Sequence, residues 1–156
     1  MRASLREALM EADRQMLREG LVWRSLRQIA ARLEALGIPY AVVGGIALQH
    51  HGLQRSTQDI DLLIGSAADL ERAHAELVGR GYVKNGQTSR HLRDEITRVR
   101  IEFLISGEDP GDGRPKPVRF PRPGDVAERS AEGIAFVNLE TLIELKLATP
   151  SPPPIG

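Results

Sequence analysis

The sequence predicts an α/β fold, in which two N-terminal helices precede strands and helices that alternate along one domain. Three observations support this prediction. A chain of 156 residues supplies one hydrophobic core and leaves no room for a second catalytic domain. Apolar residues recur at helical spacing over residues 3–36, and short β-branched runs such as YAVV and DIDLLI are bounded by turn-forming residues. We therefore expect these helices and strands to share one core.

The N-terminal segment has the periodicity of two amphipathic helices, at residues 3–18 and 21–36. The apolar positions are Leu5, Leu9, Ala12 and Met16, and then Val22, Leu26, Ile29, Leu33 and Leu36. Gly37 suits the position after a helix end, and Pro39 prevents the helix from continuing. Residues 1–36 are therefore predicted to be N-terminal helices packed on the core.

Residues 37–148 form the predicted core region. Its first strand, YAVV, ends at Gly44 and Gly45, which turn the chain into a short helix that ends near Gly52. The run DIDLLI at residues 59–64 is the second strand. A strand, a glycine turn, a short helix and a strand thus follow one another closely.

The second half of the core region is predicted to contain shorter elements. Ser66 caps a helix over residues 67–79. Further strands are expected at residues 82–84, 90–93, 97–105 and 134–137. Gly, Pro and charged residues dominate residues 106–124, which predicts a mobile loop. Asn138 caps a last helix, and the proline-rich residues 149–156 predict an extended or disordered tail.

Composition and charge exclude several classes of protein. Twenty-one basic residues balance 21 acidic ones, so the chain lacks the basic excess of a general nucleic-acid binder. The absence of cysteine excludes a disulfide framework and a cysteine-based zinc site. No apolar run approaches the roughly 18 residues of a membrane span, and no signal-peptide core is present. We therefore expect a cytoplasmic protein with no membrane partner.

Two aspartates, Asp59 and Asp61, are the first candidates for chemistry. Because side chains alternate along a strand, both point to one side while Ile60 and Leu62 point to the core. Two neighbouring carboxylates repel each other unless a cation lies between them, and oxygen ligands favour Mg²⁺ or Mn²⁺. Aspartates that are merely solvated, or that cap a turn, are the alternative.

The segment before these aspartates suggests a phosphate site. The Gly44-Gly45 turn permits close backbone approach and leaves N–H groups at a helix start, which attract the phosphates of a nucleotide. A Gly-Gly pair that only makes a turn is the alternative. Arg55 and Thr57 either bind the nucleotide or hold the loop before the strand, and the residues themselves leave both possibilities open.

Glu102 is the candidate third carboxylate, because it is the one acidic residue within a strongly apolar strand. If that strand lies beside DIDLLI, Glu102 would bind the ion and help to deprotonate an attacking hydroxyl. A glutamate on an edge strand that faces water would look the same in the sequence. Lys146 lies on the helical stripe of Leu142 and Ile143, so it either extends from the edge of the core or reaches a phosphate.

His50 and His51 invite interpretation as metal ligands. Adjacent residues on a helix point about 100° apart, however, so the two rings cannot easily share one ion. We expect one ring to be exposed and the other to be packed.

Together these residues resemble the signature of a known family. Gly44-Gly45, the pattern Arg55-x-Thr57-x-Asp59-x-Asp61 and the later Glu102 are similar to the nucleotidyltransferase superfamily with the DNA polymerase β-type fold. Within it, the segment GGIALQHHGLQRSTQDIDLLI is most similar to small bacterial proteins grouped with the AbiEii/AbiGii toxins. The similarity covers about residues 38–148.

The resemblance implies a fold, a site and a reaction. The fold would be a short mixed sheet flanked by helices. The site would hold two Mg²⁺ ions on Asp59, Asp61 and Glu102, and would bind nucleotide through Gly44, Gly45, Arg55, Thr57 and Lys146. A hydroxyl of an acceptor, such as a tRNA or a protein, would attack the α-phosphorus of an NTP such as ATP and release pyrophosphate. A toxin of this kind would also have a cognate antitoxin as a partner.

The chain departs from the family pattern in two places, which keeps a second hypothesis open. The helix that holds Lys146 breaks into prolines where relatives continue, and Glu102 stands where aspartate is commoner. The alternative is a C-terminally shortened, catalytically weak member that binds nucleotide or a partner protein. Pairing of the helices at residues 3–36 into a homodimer is compatible with either hypothesis.

Overall fold

A computed structural model describes residues 2–87, 89–111 and 114–148 of the chain. The helices are α1 (Arg2–Leu36), α2 (Gly44–His50), α3 (Ala67–Leu77), α4 (Pro123–Val126) and α5 (Leu139–Ala148). The strands are β1 (Tyr40–Val43), β2 (Asp59–Ile64), β3 (Tyr82–Lys84), β4 (Leu92–Asp94), β5 (Arg100–Ile105), β6 (Ala127–Arg129) and β7 (Ala135–Val137). The predicted tail at residues 149–156 lies outside the described residues. None of the helices in the described ranges has the length and apolarity needed to cross a membrane.

In place of the predicted helical pair, the structure has one continuous helix, α1, of 35 residues. Gly20, which separates the two predicted segments, lies inside it. A single glycine in a helix interior costs only about 1 kcal/mol relative to alanine and does not by itself end a helix. The apolar side chains that pack on the core lie in the second half of α1, where Val22, Leu26 and Leu33 are at most 2 % exposed. Residues 4–14 are exposed at every position.

The seven strands form one mixed sheet in the order β3-β4-β5-β2-β1-β7-β6. The pairs β2–β5 and β1–β7 are parallel, and the other neighbours are antiparallel. This sheet, flanked by helices, confirms the predicted fold class. The strand β5 lies in the interior of the sheet, so the alternative that Glu102 is an edge-strand residue is excluded.

Most of the predicted elements are present, with shifted ends. Ser66 caps α3 by accepting a hydrogen bond from the backbone N–H of Asp69, and the Asn138 side chain accepts one from the N–H of Thr141 at the start of α5. The short elements α4 and β6 were not predicted, because only three or four residues form each of them. The strand predicted at residues 97–105 begins at Arg100, since the residues before it form a tight turn.

Asp94 organises this turn and fastens α1 to it. One carboxylate oxygen accepts hydrogen bonds from the backbone N–H groups of Ile96 (2.9 Å) and Thr97 (3.1 Å), and the other accepts one from the Ser25 hydroxyl of α1 (2.8 Å). Burial raises the pKa of the Asp94 carboxyl, but the hydrogen bonds outweigh burial and hold that pKa below its usual range. Asp94 is only 2 % exposed, so each of these donors depends on it for a partner.

Replacing Asp94 with alanine is therefore expected to lower the free energy of unfolding by about 3 kcal/mol, because it leaves three donors without an acceptor. The Ser25→Ala change should cost about 1 kcal/mol in the wild type and close to nothing when Asp94 is already alanine. Urea denaturation of the four proteins measures both effects, with Asp13→Ala on the exposed face of α1 as the control. Additive losses in the double variant would contradict this anchoring role.

Candidate active site

Two carboxylates from neighbouring strands form the centre of the candidate site. The parallel strands β2 and β5 are paired so that Asp61 lies directly beside Glu102. Alternation places both side chains on one side of the sheet, while Ile60, Leu62, Ile101 and Phe103 are fully buried on the other. This confirms the predicted orientation of both strands and brings Asp61 and Glu102 together from positions 41 residues apart.

The pair carries an excess of negative charge. Burial, the charge of Glu102, a hydrogen bond with Glu102 and the charge of Asp59 raise the pKa of Asp61 to about 7, against a smaller opposing effect of Arg100. Like charges held this close favour a shared proton. A cation would relieve the same repulsion, so the donor set suits a hard divalent ion.

Arg100 is a functional candidate that we did not identify from the sequence. One of its terminal nitrogens lies 3.1 Å from a Glu102 carboxylate oxygen, and its buried Nε has no hydrogen-bond partner among the described residues. The i, i+2 spacing in β5 is the signal that could have revealed it, because that spacing puts Arg100 and Glu102 on the same side of the strand. Arg100 therefore orients Glu102 and offsets part of its charge.

Asp59 stands apart from the pair. It begins β2, lies opposite Arg100 in the parallel register, and borders a different cavity from Asp61 and Glu102. Within the described ranges, no three His, Asp or Glu side chains are grouped closely enough to hold one ion. The structure thus brings Asp61 and Glu102 together. Asp59 lies on the same side of the sheet, two residues before Asp61 in β2.

Gly44 fits against the Asp61 carboxylate and admits no side chain. Its φ is +72°, and a Cβ at this position would lie 2.1 Å from the Asp61 Oδ2. The adjacent Gly45 is also confined, because its Cβ would lie 3.1 Å from the Thr57 hydroxyl oxygen. No side chain caps the start of α2. Both glycines therefore lie in close contact with side chains of β2 and the loop before it, and phosphate binding at this turn stays a prediction.

The loop before β2 is held by Thr57, whose hydroxyl donates a hydrogen bond of 3.1 Å to the carbonyl oxygen of Asp59. Arg55 is exposed, and its Nε lies 3.6 Å from the place of a Cβ on Gly45. The geometry thus favours a supporting role for Thr57 and places the Arg55 guanidinium beside the start of α2.

A cavity of about 370 Å³ lies against the carboxylate pair. We call it the nucleotide-side cavity because it borders Gly44 and Lys146, which the sequence predicts to bind nucleotide. Its lining residues are Val43, Gly44, Leu48, Asp61, Glu102, Leu104, Gly111, Phe120, Leu142, Leu145 and Lys146. The volume falls in the range of about 300–1,000 Å³ that is usual for small-molecule sites. The cavity combines apolar walls with two carboxylates and one ammonium group. The sequence did not identify Phe120 as a site residue, because it lies in a segment predicted as a loop.

The two histidines are engaged with the sheet. The His50 ring stacks on Phe136 at a centroid distance of 4.0 Å, and His51 Nε2 lies 2.9 Å from the carbonyl oxygen of Val137. Burial lowers the pKa of His50. His50 is exposed although its ring stacks on Phe136, and His51 is partly buried, which agrees with the expectation of one exposed and one packed ring. Neither contact involves the carboxylate pair.

Comparison with known proteins is consistent with this architecture. A Thermotoga maritima protein of known crystal structure, named only provisionally as a nucleotidyltransferase, superimposes with a TM-score of 0.56 at 18 % sequence identity, covering 80 % of this chain and 82 % of that one. At this identity the likeness concerns the fold alone. No curated protein gives a significant match. A family model described as an uncharacterised nucleotidyltransferase matches residues 1–120 of the 156, and the chain therefore belongs to this nucleotidyltransferase family.

Proposed function

We propose that this protein transfers a nucleoside monophosphate from an NTP to an acceptor hydroxyl in a Mg²⁺-dependent reaction. The observation that carries the proposal is a pair of carboxylates, Asp61 and Glu102, which neighbouring strands place side by side. The pair lies against Gly44 and on the wall of the nucleotide-side cavity. Structural ion pairs neutralise charge, whereas this pair concentrates it beside a cavity large enough for a small molecule. Such an arrangement is typical of functional sites.

The metal would be held by Asp61 and Glu102, with Asp59 as the third ligand. Carboxylate oxygens are the ligands that Mg²⁺ and Mn²⁺ prefer. A bound divalent ion would stabilise the negative charge of the phosphoryl group that is transferred. Asp59 lies two residues before Asp61 in β2 and borders the other cavity in this structure. Arg100 holds Glu102 in position through an ion pair at 3.1 Å.

The remaining residues bind and position the reactants. The uncapped N–H groups at Gly44 and Gly45 and the Lys146 ammonium group donate to phosphate oxygens, and Arg55 extends this set from the loop. The apolar walls at Leu104, Phe120 and Leu142 would contact the base and exclude water. Glu102 would accept the proton of the attacking hydroxyl.

The finer assignment rests on the similarity of residues 44–64 to AbiEii/AbiGii-type toxins. On that basis the acceptor would be a tRNA or a protein, and a cognate antitoxin would bind the toxin. The exposed apolar side chains of α1, which include Leu5 (65 % exposed) and Leu9 (60 %), offer a surface that an antitoxin or a second copy of the chain could cover.

A catalytically weak nucleotide- or partner-binding protein is the second candidate function. The separation of Asp59 from the carboxylate pair and the contact of Arg100 with Glu102 favour it, because both reduce the number of oxygens ready for an ion.

Incubation with each of the four α-labelled NTPs, Mg²⁺ and cellular RNA separates the two functions. We expect label to enter RNA or the protein itself, and this incorporation to disappear in the Asp59→Ala/Asp61→Ala variant. Urea denaturation confirms that the variant is folded. If wild-type protein binds nucleotide but transfers none, and the variant binds it equally well, the transfer function is wrong and the binding function is supported.

A further inference from the structure

A second cavity, of about 190 Å³, borders the carboxylate site at Asp59 and is called the arginine cavity here. Its lining residues are Arg18, Leu21, Val22, Gln58, Asp59, Arg93, Thr97, Arg98, Val99 and Arg100. Four arginines and one aspartate thus line one cavity in a chain whose formal net charge is zero. This concentration of one sign indicates an anionic ligand.

Two of the four arginines are not neutralised by acidic side chains. Arg18 lies 3.3 Å from Glu11, and Arg100 pairs with Glu102. By contrast, Arg93 donates a hydrogen bond of 2.7 Å to the carbonyl oxygen of Arg98, and neither of these two makes an ion pair within the part of the chain that the structure describes. Their charge is therefore available to a ligand.

The turn that presents these arginines is rigid and locally strained. Arg98 has a φ of +65°, a conformation that costs a non-glycine residue of order 1 kcal/mol or more. Its N–H donates to the Asp94 carbonyl oxygen at 2.9 Å, and the Asp94 side chain is tied to α1 and to the turn itself. Such an anchored turn holds a charged group in place for recognition.

The arginine cavity and the nucleotide-side cavity share no lining residue. Asp61 and Glu102 border one, while Asp59 and Arg100 border the other, although the four residues are neighbours across β2 and β5. The carboxylates thus lie between two binding spaces. If the NTP occupies the larger space, the smaller one is left for the acceptor.

We propose that the arginine cavity binds a phosphate group that the acceptor carries beside its attacking hydroxyl. This inference rests on the proposed transfer reaction and names the class of its second substrate. A cavity of about 190 Å³ is below the usual size for enclosing a whole small molecule, so it takes the end of a nucleic-acid strand and leaves the rest outside. An unphosphorylated protein hydroxyl would leave Arg93 and Arg98 without an anionic partner.

The transfer step balances without a further reactant. The acceptor oxygen forms a bond to the α-phosphorus, the bond from that phosphorus to the bridging oxygen breaks, and pyrophosphate leaves with the bond electrons. Glu102 takes the hydroxyl proton. Arg93 and Arg98 act before this step, by holding the adjacent phosphate of the acceptor.

The test measures binding of a fluorescent single-stranded RNA with a free 3′-hydroxyl, by anisotropy, in EDTA and without NTP. The variant is Arg93→Gln/Arg98→Gln. The matched control, Arg24→Gln/Arg80→Gln, removes the same charge at exposed positions outside both cavities. We expect the variant to raise the Kd about tenfold and to reduce the slope of log K against log salt by about 1.4, with the control within about twofold of wild type.

Two further measurements distinguish this inference from a structural role and from failure of the proposed function. Arg98→Gly should weaken RNA binding without loss of stability, because glycine accepts a φ of +65°. Binding of Mg²⁺ and NTP should be unchanged in Arg93→Gln/Arg98→Gln. If the wild-type protein binds RNA but transfers no NMP, the proposed transfer reaction is contradicted, whereas the proposed phosphate site in the arginine cavity is still supported.

Competition identifies the source of the phosphate. If a mononucleotide displaces the RNA at a concentration similar to that of the RNA itself, the site belongs to a small phosphorylated acceptor. If neither a mononucleotide nor inorganic phosphate competes with the RNA, the site belongs to a nucleic-acid strand. Equal RNA affinity for the variant, the control and the wild type, or no RNA binding by the wild type, would overturn the proposal.

Discussion

Replacing Asp61 with asparagine is expected to reduce NMP transfer by about a thousandfold or more, while the protein without ligand becomes more stable above pH 7. The loss of transfer follows from removing the carboxylate that lies between Gly44 and Glu102. The gain in stability follows from removing one of two repelling charges. Asparagine is close to aspartate in size, so the packing against Gly44 is retained.

The direction of the pH effect comes from the raised pKa of Asp61, about 7 in the folded protein. An aspartate in the unfolded chain titrates near 4. Between these values the folded protein binds the proton and the unfolded chain does not, so stability falls as pH rises through this window and stays low above it. The asparagine variant has no carboxyl group to titrate at this position, so its stability should fall less than that of the wild type as the pH rises.

Urea denaturation at pH 5 and pH 8, with and without Mg²⁺, measures this expectation. Wild-type protein at pH 8 should gain stability on addition of Mg²⁺, because the ion relieves the repulsion, and the variant should gain much less. Asp13→Asn, at an exposed position of α1, is the control. Retention of transfer by the Asp61 variant, or a lower stability than wild type at pH 8, would contradict the proposed role of this carboxylate.

The Gly44→Ala change is expected to reduce the rate of NMP transfer by about a hundredfold or more, since the new Cβ would displace the Asp61 carboxylate. Gly52 offers a matched control, because its φ of +95° imposes a similar backbone strain but a Cβ there meets no atom within 4 Å. Alanine at Gly52 should therefore lower stability and leave transfer nearly intact.

Transfer assays and urea midpoints of the two alanine variants distinguish the effect of backbone strain from the effect of displacing the Asp61 carboxylate. Comparable losses of stability with very different losses of transfer are expected. If Gly44→Ala and Gly52→Ala retained transfer equally, the fit of Gly44 against Asp61 would have no role in the reaction.

The local patterns in the sequence predicted the parts of the site that lie within one strand. The alternation in DIDLLI set the direction of Asp59 and Asp61, and the alternation in RIEFLI set that of Glu102. The pairing of β2 with β5 is a long-range choice that alternation alone does not determine. The residues raised this pairing only as a condition, and the resemblance to a family supported it. The observed register confirms that Asp61 and Glu102 are neighbours.

Other features could not be predicted because they depend on contacts between distant segments. Ser25 and Asp94 are 69 positions apart, and nothing local marks either as a buried partner of the other. Arg93 and Arg98 look like ordinary surface arginines until the turn at Asp94 places them beside Asp59. The apolar periodicity predicts two helices at residues 3–18 and 21–36, whereas the structure has one continuous helix through Gly20.

The helix α1 also determines how stability is distributed in the molecule. At 35 residues it is about 50 Å long, and only its second half is packed into the core. Backbone amides near Leu26 should exchange with solvent only when the whole domain opens, whereas amides before Gln15 should exchange through local fraying. A partner could therefore cover, reshape or cut the first turns without disturbing the sheet that holds Asp61 and Glu102.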